Sequence, residues 1–128
     1  MKHIYQPEGS KSCGQHCVAM IAGISVEESI AAFGHDKGTR RKAVIEVLKK
    51  LGLNPGKKAY RFILQKQLPE LCMLIIKWDK KGSHWVVYNN GKIYCPLYGV
   101  FDYSKQNIAD KGGEALMYLK IGKNDKTP

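Results

Sequence analysis

No run of apolar residues in this sequence approaches the ~20 needed to cross a bilayer, and the opening Met1-Lys2-His3-Ile4-Tyr5-Gln6 lacks the apolar centre of a secretory signal. The expectation is therefore a cytoplasmic protein without a membrane span. No internal repeat and no low-complexity segment is present, which sets aside repeat architectures and disordered linkers. Acidic side chains are scarce: 11 Asp and Glu stand against 21 Lys and Arg, a formal charge of +10. Such a surface attracts nucleic acid, acidic lipid or acidic polypeptide. The basic residues are nevertheless spread over 37–58, 77–81 and 120–126, with no interleaved aromatic stripe and no nucleic-acid motif. Nucleic acid is the weaker expectation, and an acidic or extended peptide partner fits as well. Paired zinc ligands at two places in the chain are also missing. Cys13, His16, Cys17 and Cys95 offer such spacing at one place only, so neither a metal nor another cofactor is expected. Without an export signal, the four cysteines Cys13, Cys17, Cys72 and Cys95 are expected as free thiols.

What is present fits one domain over 1–121, with a frayed tail at 122–128. Three helices come first. The small, apolar run 13–22 ends at Gly23, a left-handed C-cap. Ser25-Val26-Glu27-Glu28 is a capping box opening a helix that runs to about Phe33 before Gly34. A third begins after Thr39, with Ala43, Val44, Val47, Leu48 and Leu51 near a period of 3.6 until Gly52. The second half is β-rich, with strands expected over 74–78, 84–88, 92–95 and 116–121. Asn90-Gly91 reads as a two-residue hairpin turn, since both positions tolerate positive φ. Helices followed by an antiparallel sheet make an α+β domain.

The chemistry lies in two separated stretches, Ser12-Cys13-Gly14-Gln15-His16-Cys17 and Ser83-His84-Trp85-Val86-Val87-Tyr88. A cysteine at the mouth of a helix is placed to become a thiolate, because first-turn N–H groups and the helix dipole stabilise negative charge. Ser12 is the expected N-cap. A histidine on a distant strand then serves as base, as in Cys/His hydrolases whose members meet only on folding. If Asn90 and Gly91 form the turn, Asn89 faces Lys92, Tyr88 faces Ile93, Val87 faces Tyr94 and Val86 faces Cys95. Cys95 then lies diagonally across from His84, about 5–8 Å away. His16 is expected to face solvent or a partner helix, and Trp78 and Trp85 to form core or cleft walls.

The order Gln6, Cys13-Gly14, Cys17-Val18-Ala19-Met20, Ser83-His84-Trp85-Val86-Val87-Tyr88 and Gly91-Lys92-Ile93-Tyr94-Cys95-Pro96 resembles the papain-like cysteine peptidases that process double-glycine bacteriocin leaders, and their stand-alone bacterial relatives. The resemblance covers roughly residues 3–100. It implies a papain-like fold, Cys13 as nucleophile, His84 as base and acid, Gln6 as a side-chain donor in the oxyanion hole, and a peptide or protein substrate. Cys17 matches a second cysteine of the family and is expected to pack. The family's third member is an aspartate before proline, and here Cys95 precedes Pro96. The Gln6 to Cys13 spacing is also one residue longer, an addition that Gly9 accommodates in a bulged loop. Asp102, Asn89 and Asn90 are candidate substitutes for the aspartate. Peptide-bond cleavage is the leading expectation. A glutamine deamidase or acyl transferase would use the same thioacyl chemistry, and a non-catalytic binding module would keep the fold without the reaction.

Overall fold

Helix α1 (Cys13–Ala22) stops where Gly23 turns left-handed, φ 69°, and returns its N–H to the Ala19 carbonyl at 2.9 Å. The computed structural model describes residues 1–61 and 68–122. Helix α2 (Val26–Phe33) opens on the expected capping box: Ser25 Oγ accepts the Glu28 N–H at 3.0 Å, and Glu28 Oε1 accepts the Ser25 N–H at 3.3 Å. Helix α3 (Arg41–Lys50) buries Val44, Val47 and Leu48 and leaves its basic residues outside. Ser12 departs from expectation. It occupies the N-cap position of α1, but its backbone (φ −98°, ψ 27°) does not aim the hydroxyl at the first turn, and Oγ donates to Ser10 Oγ at 3.2 Å instead.

The remaining elements are β1 (Asn54–Pro55), β2 (Tyr60–Arg61), β3 (Leu71–Trp78), β4 (Gly82–Asn89), β5 (Lys92–Cys95), β6 (Gly99–Asp102), α4 (Lys105–Asp110) and β7 (Gly113–Gly122). The strands form a seven-stranded sheet in the order β1-β7-β3-β4-β5-β6, with β2 also paired to β7. Every pairing is antiparallel. The α+β expectation holds. Strands β3, β4 and β7 run longer than expected, and β1, β2, β6 and α4 were not foreseen. Gly122 is paired with Asn54 in the sheet rather than frayed, and 123–128 lie outside the described residues.

Two cores sandwich the sheet. Met73, Trp85, Val87, Leu119 and Ile121 pack against Cys17, Val18, Val44 and Leu48 of the helices. On the other face Cys72, Leu74, Ile76, Trp78, Val86, Ile93 and Cys95 pack with Tyr103 and Ile108. Burial on both faces explains why β3 reads as a continuous apolar run instead of an alternating one. Each fully buried aliphatic side chain contributes about 1.5–3 kcal/mol. The Asn90–Gly91 turn has positive φ at both residues, 47° and 88°. It sets the expected register of Asn89 with Lys92, Tyr88 with Ile93 and Val87 with Tyr94. The ladder ends one pair short of Val86 and Cys95.

Candidate active site

Cys13 is the first residue of α1, so its own N–H and that of Gly14 are among the first-turn donors that helical geometry leaves without a backbone acceptor. The uncapped Ser12 leaves them for the sulfur. Both N–H groups lower the thiol pKa, as does the Trp85 N–H, which donates to Sγ at 3.4 Å from strand β4. Cys13 is only 7% exposed, however, and burial outweighs these donors, so the thiol sits above its ordinary value. The helix terminus supplies lowering donors as expected, but loss of hydration is the larger effect on the thiol. Gly14 has a steric role. A Cβ there would collide with Thr39 Oγ1, with Thr39 Cβ and Cγ2 at 3.2 and 3.3 Å. The absent side chain lets the loop before α3 close over the start of α1.

His84 and Cys13 line one cleft of about 570 Å³, together with Lys11, Thr39, Arg40, Arg41, Lys81 and Trp85. The His84 Nε2–H donates to the Lys81 carbonyl at 2.7 Å. A carbonyl only accepts, so this bond selects the Nε2–H tautomer of the neutral ring. Nδ1 then carries the lone pair, and it is buried without a hydrogen-bond partner among the described residues. No hydrogen bond joins Nδ1 to Sγ directly.

Gln6 is buried 8% exposed, beside the β5–β6 connection, where its backbone N–H donates to Pro96 O at 3.0 Å. Its side-chain Nε2 donates to Ser10 O at 2.9 Å and Ser10 Oγ at 3.1 Å, while Oε1 has no partner. The amide donor thus faces the 7–10 turn. That turn closes from Ser10 N–H to Pro7 O at 3.0 Å with Gly9 at φ 76°, the kind of loop foreseen for the longer spacing.

Cys95 is fully buried, and burial pushes its thiol up, against the lowering effect of the Leu97 and Tyr98 N–H groups. The bonded ring nitrogen of His84, Nε2, is held by the Lys81 carbonyl and not by Cys95. Asp102 is exposed and ion-paired to Lys92 at 2.8 Å, and Asn89 and Asn90 sit at the hairpin tip. Cys17 packs in the helix-side core with its thiol pushed well up by burial. Of the two settings expected for His16, solvent is ruled out: it is buried, and its Nδ1–H donates to Ser12 O at 2.8 Å. His3 also has a defined place, its Nε2–H donating to Cys95 O at 2.7 Å.

The fold is shared with a solved structure described as a double glycine motif protease from an AMS/PCAT transporter in complex with the leader peptide. The TM-score is 0.69 at 21% identity, covering 95% of this chain and 91% of that one. No protein-family model and no curated protein matches the sequence. The likeness establishes a papain-like fold. No single described helix is long and apolar enough to cross a membrane.

Three contributors to the cleft escaped the sequence reading. The Lys81 carbonyl and the Trp85 N–H are backbone groups that every residue type carries, so no signal marks them. Thr39 could have been suspected from Gly14, since a glycine early in a helix signals close approach by another segment.

Proposed function

We propose that this chain is a cysteine hydrolase, most plainly a peptidase, acting through a thioacyl intermediate on Cys13. The observation that carries the proposal is the pairing, in one cleft, of a sulfur surrounded by backbone N–H donors with a histidine whose Nδ1 is bare. His84 Nδ1 accepts the thiol proton as Sγ bonds to the scissile carbonyl carbon. The proton then passes to the leaving amine as the C–N bond breaks, and water hydrolyses the thioester. Catalytic hydrogen bonds are commonly long before substrate arrives and tighten in the complex. The Cys13 N–H is the first oxyanion donor. Gln6 is the second, on exchanging its Ser10 bonds for the developing oxyanion. The protease neighbour with its leader peptide supports an extended peptide as substrate.

The test is a quenched fluorescent peptide containing a Gly-Gly site, with alkylation of Cys13 by iodoacetamide followed against pH. Cys13→Ala should abolish cleavage, and His84→Ala should lower it by about 10²–10⁴. His84→Ala should also slow alkylation of Cys13 and change its dependence on pH. Identical alkylation profiles with and without His84 would overturn the base assignment.

A second reading, a binding module without turnover, is favoured by the commitment of the Gln6 amide to Ser10 and by the raised Cys13 thiol. Peptide binding without cleavage, together with Cys13 alkylation that His84→Ala leaves unchanged, would select it.

A further inference from the structure

The cleft holding Cys13 and His84 has no carboxylate among its described lining residues, and four cations border it: Lys11, Arg40, Arg41 and Lys81. Arg40 and Arg41 also border a second hollow of about 670 Å³, lined further by Lys42, Lys49, Lys57, Lys58 and the lone carboxylate Glu46. A third hollow shares Arg40, Lys42 and Glu46 and reaches back to Thr39. The three adjoin through Arg40. Together they form a basic track that leaves the cleft, passes along α3 and ends at the loop between β1 and β2. The α3 pattern creates it: the apolar stripe of Val44, Val47 and Leu48 faces the sheet, so the intervening Arg41, Lys42 and Lys49 face out. A helix of ten residues is about 15 Å long, the reach of roughly four or five extended residues.

We infer that the track is a subsite for an acidic stretch of the peptide substrate, several residues away from the bond that Cys13 attacks. This rests on the hydrolase reading above and extends it to the chemical class of the substrate. A row of like charges next to a cleft raises the local concentration of an oppositely charged chain and favours it over neutral competitors. The groove walls favour peptide over nucleic acid. Of the aromatic rings near the track, Trp85 at the cleft is buried, and Tyr60 on β2 carries Lys58 Nζ at 5.3 Å and the Tyr118 ring at 5.9 Å, which leaves neither as an open stacking platform for bases.

The test uses the Cys13→Ser chain, so that binding is read without turnover. Two labelled 12-residue peptides share a Gly-Gly site and differ only in carrying four Glu or four Gln on one side of it; a dT12 oligonucleotide is the third probe. By fluorescence anisotropy at low salt, the Glu peptide should bind about tenfold more tightly than its Gln twin, and the gap should close as the screening length falls to about 3 Å near 1 M salt. Lys57→Glu/Lys58→Glu should remove most of the preference. Lys105→Glu/Lys111→Glu, an equal charge change at α4 on the other face of the sheet, should leave it in place. Equal binding of the two peptides, or an unchanged preference in Lys57→Glu/Lys58→Glu, overturns the inference. Tighter binding of dT12 than of the Glu peptide, lost in the same variant, overturns it in favour of a nucleic-acid surface. The two proposals fail separately: a chain that prefers the Glu peptide but never cleaves it sinks the hydrolase alone, and a chain that cleaves both peptides equally sinks the acidic subsite alone.

Discussion

The Nε2–H of His84 donates to the carbonyl oxygen of Lys81 at 2.7 Å. Lys81 belongs to the β3–β4 turn, where Lys80 (φ 64°) and Gly82 (φ 75°) are both left-handed. A tight turn therefore does for the ring what a carboxylate does elsewhere: it sets the tautomer and holds the plane. A backbone carbonyl carries no full charge, so it stabilises a protonated imidazole less than a carboxylate would. On the hydrolase reading proposed above, slow turnover is the expected consequence.

Cys95 should then be dispensable for the chemistry. Cys95→Ala is expected to leave the pH profile of Cys13 alkylation within about threefold of the parent while lowering stability by roughly 1–3 kcal/mol, the usual cost of emptying a buried site. Inserting one glycine between Lys80 and Lys81 should do the reverse, flattening the profile with little loss in melting temperature. Equal sensitivity to both changes would show that Cys95, not the turn, orients His84.

Gly14→Ala should push Thr39 away from α1, costing about 1–3 kcal/mol by overpacking. Thr39→Gly in the same chain should restore much of the loss, because it removes the atoms that the new methyl meets. Thermal unfolding of the two single variants and the double variant completes the cycle, and additive losses would mean that the two positions do not touch.

Gln6→Ala separates structure from catalysis. If the amide serves the oxyanion, cleavage should fall about 10²–10³-fold, while binding of the Gly-Gly peptide to a Cys13→Ser background stays close to that of the parent. A parallel loss of binding would assign Gln6 to the architecture of the 7–10 turn.

Alkaline stability should report the buried thiols. Cys72 is raised from 9.0 to about 12 by burial. The folded state therefore holds this proton more tightly than the unfolded chain does. Its contribution is complete below about pH 9 and drains away as the pH climbs through the folded value. Between pH 9 and 12 this group weakens folding by about 1.4 kcal/mol per pH unit. Urea midpoints at pH 8 and 10 should fall less in Cys72→Ala than in the parent, and equal falls would place the sensitivity in other groups.

Legibility followed the range of the interactions. The ends of α1 and α2, and the 90–91 turn, were readable because Gly23, Ser25, Glu28, Asn90 and Gly91 act on their immediate neighbours. The register from Val87 to Lys92 followed from the turn. Strand β6 and helix α4 were missed, although Ser104 caps α4 by accepting the Asn107 N–H at 2.9 Å, because neither carries a strong apolar period. At the site, residue types were readable and orientations were not. His16 reads as facing either solvent or a partner helix and is buried, since α1 is covered on nearly all sides. Ser12 has the chemistry of a cap, yet its backbone angles deny it the geometry. For the Cys13 thiol, two opposing effects were both foreseeable in kind, and only the degree of enclosure decides between them.

The bonds from His3 to the Cys95 carbonyl and from Gln6 to the Pro96 carbonyl lash the first six residues to the hairpin leading into β6. Anyone preparing this protein inherits that tether as a practical constraint. A purification handle fused directly ahead of His3, or proteolytic trimming of residues 1–5, would slacken the strap that seats Gln6, and an apparently inert preparation could owe its silence to cloning instead of chemistry.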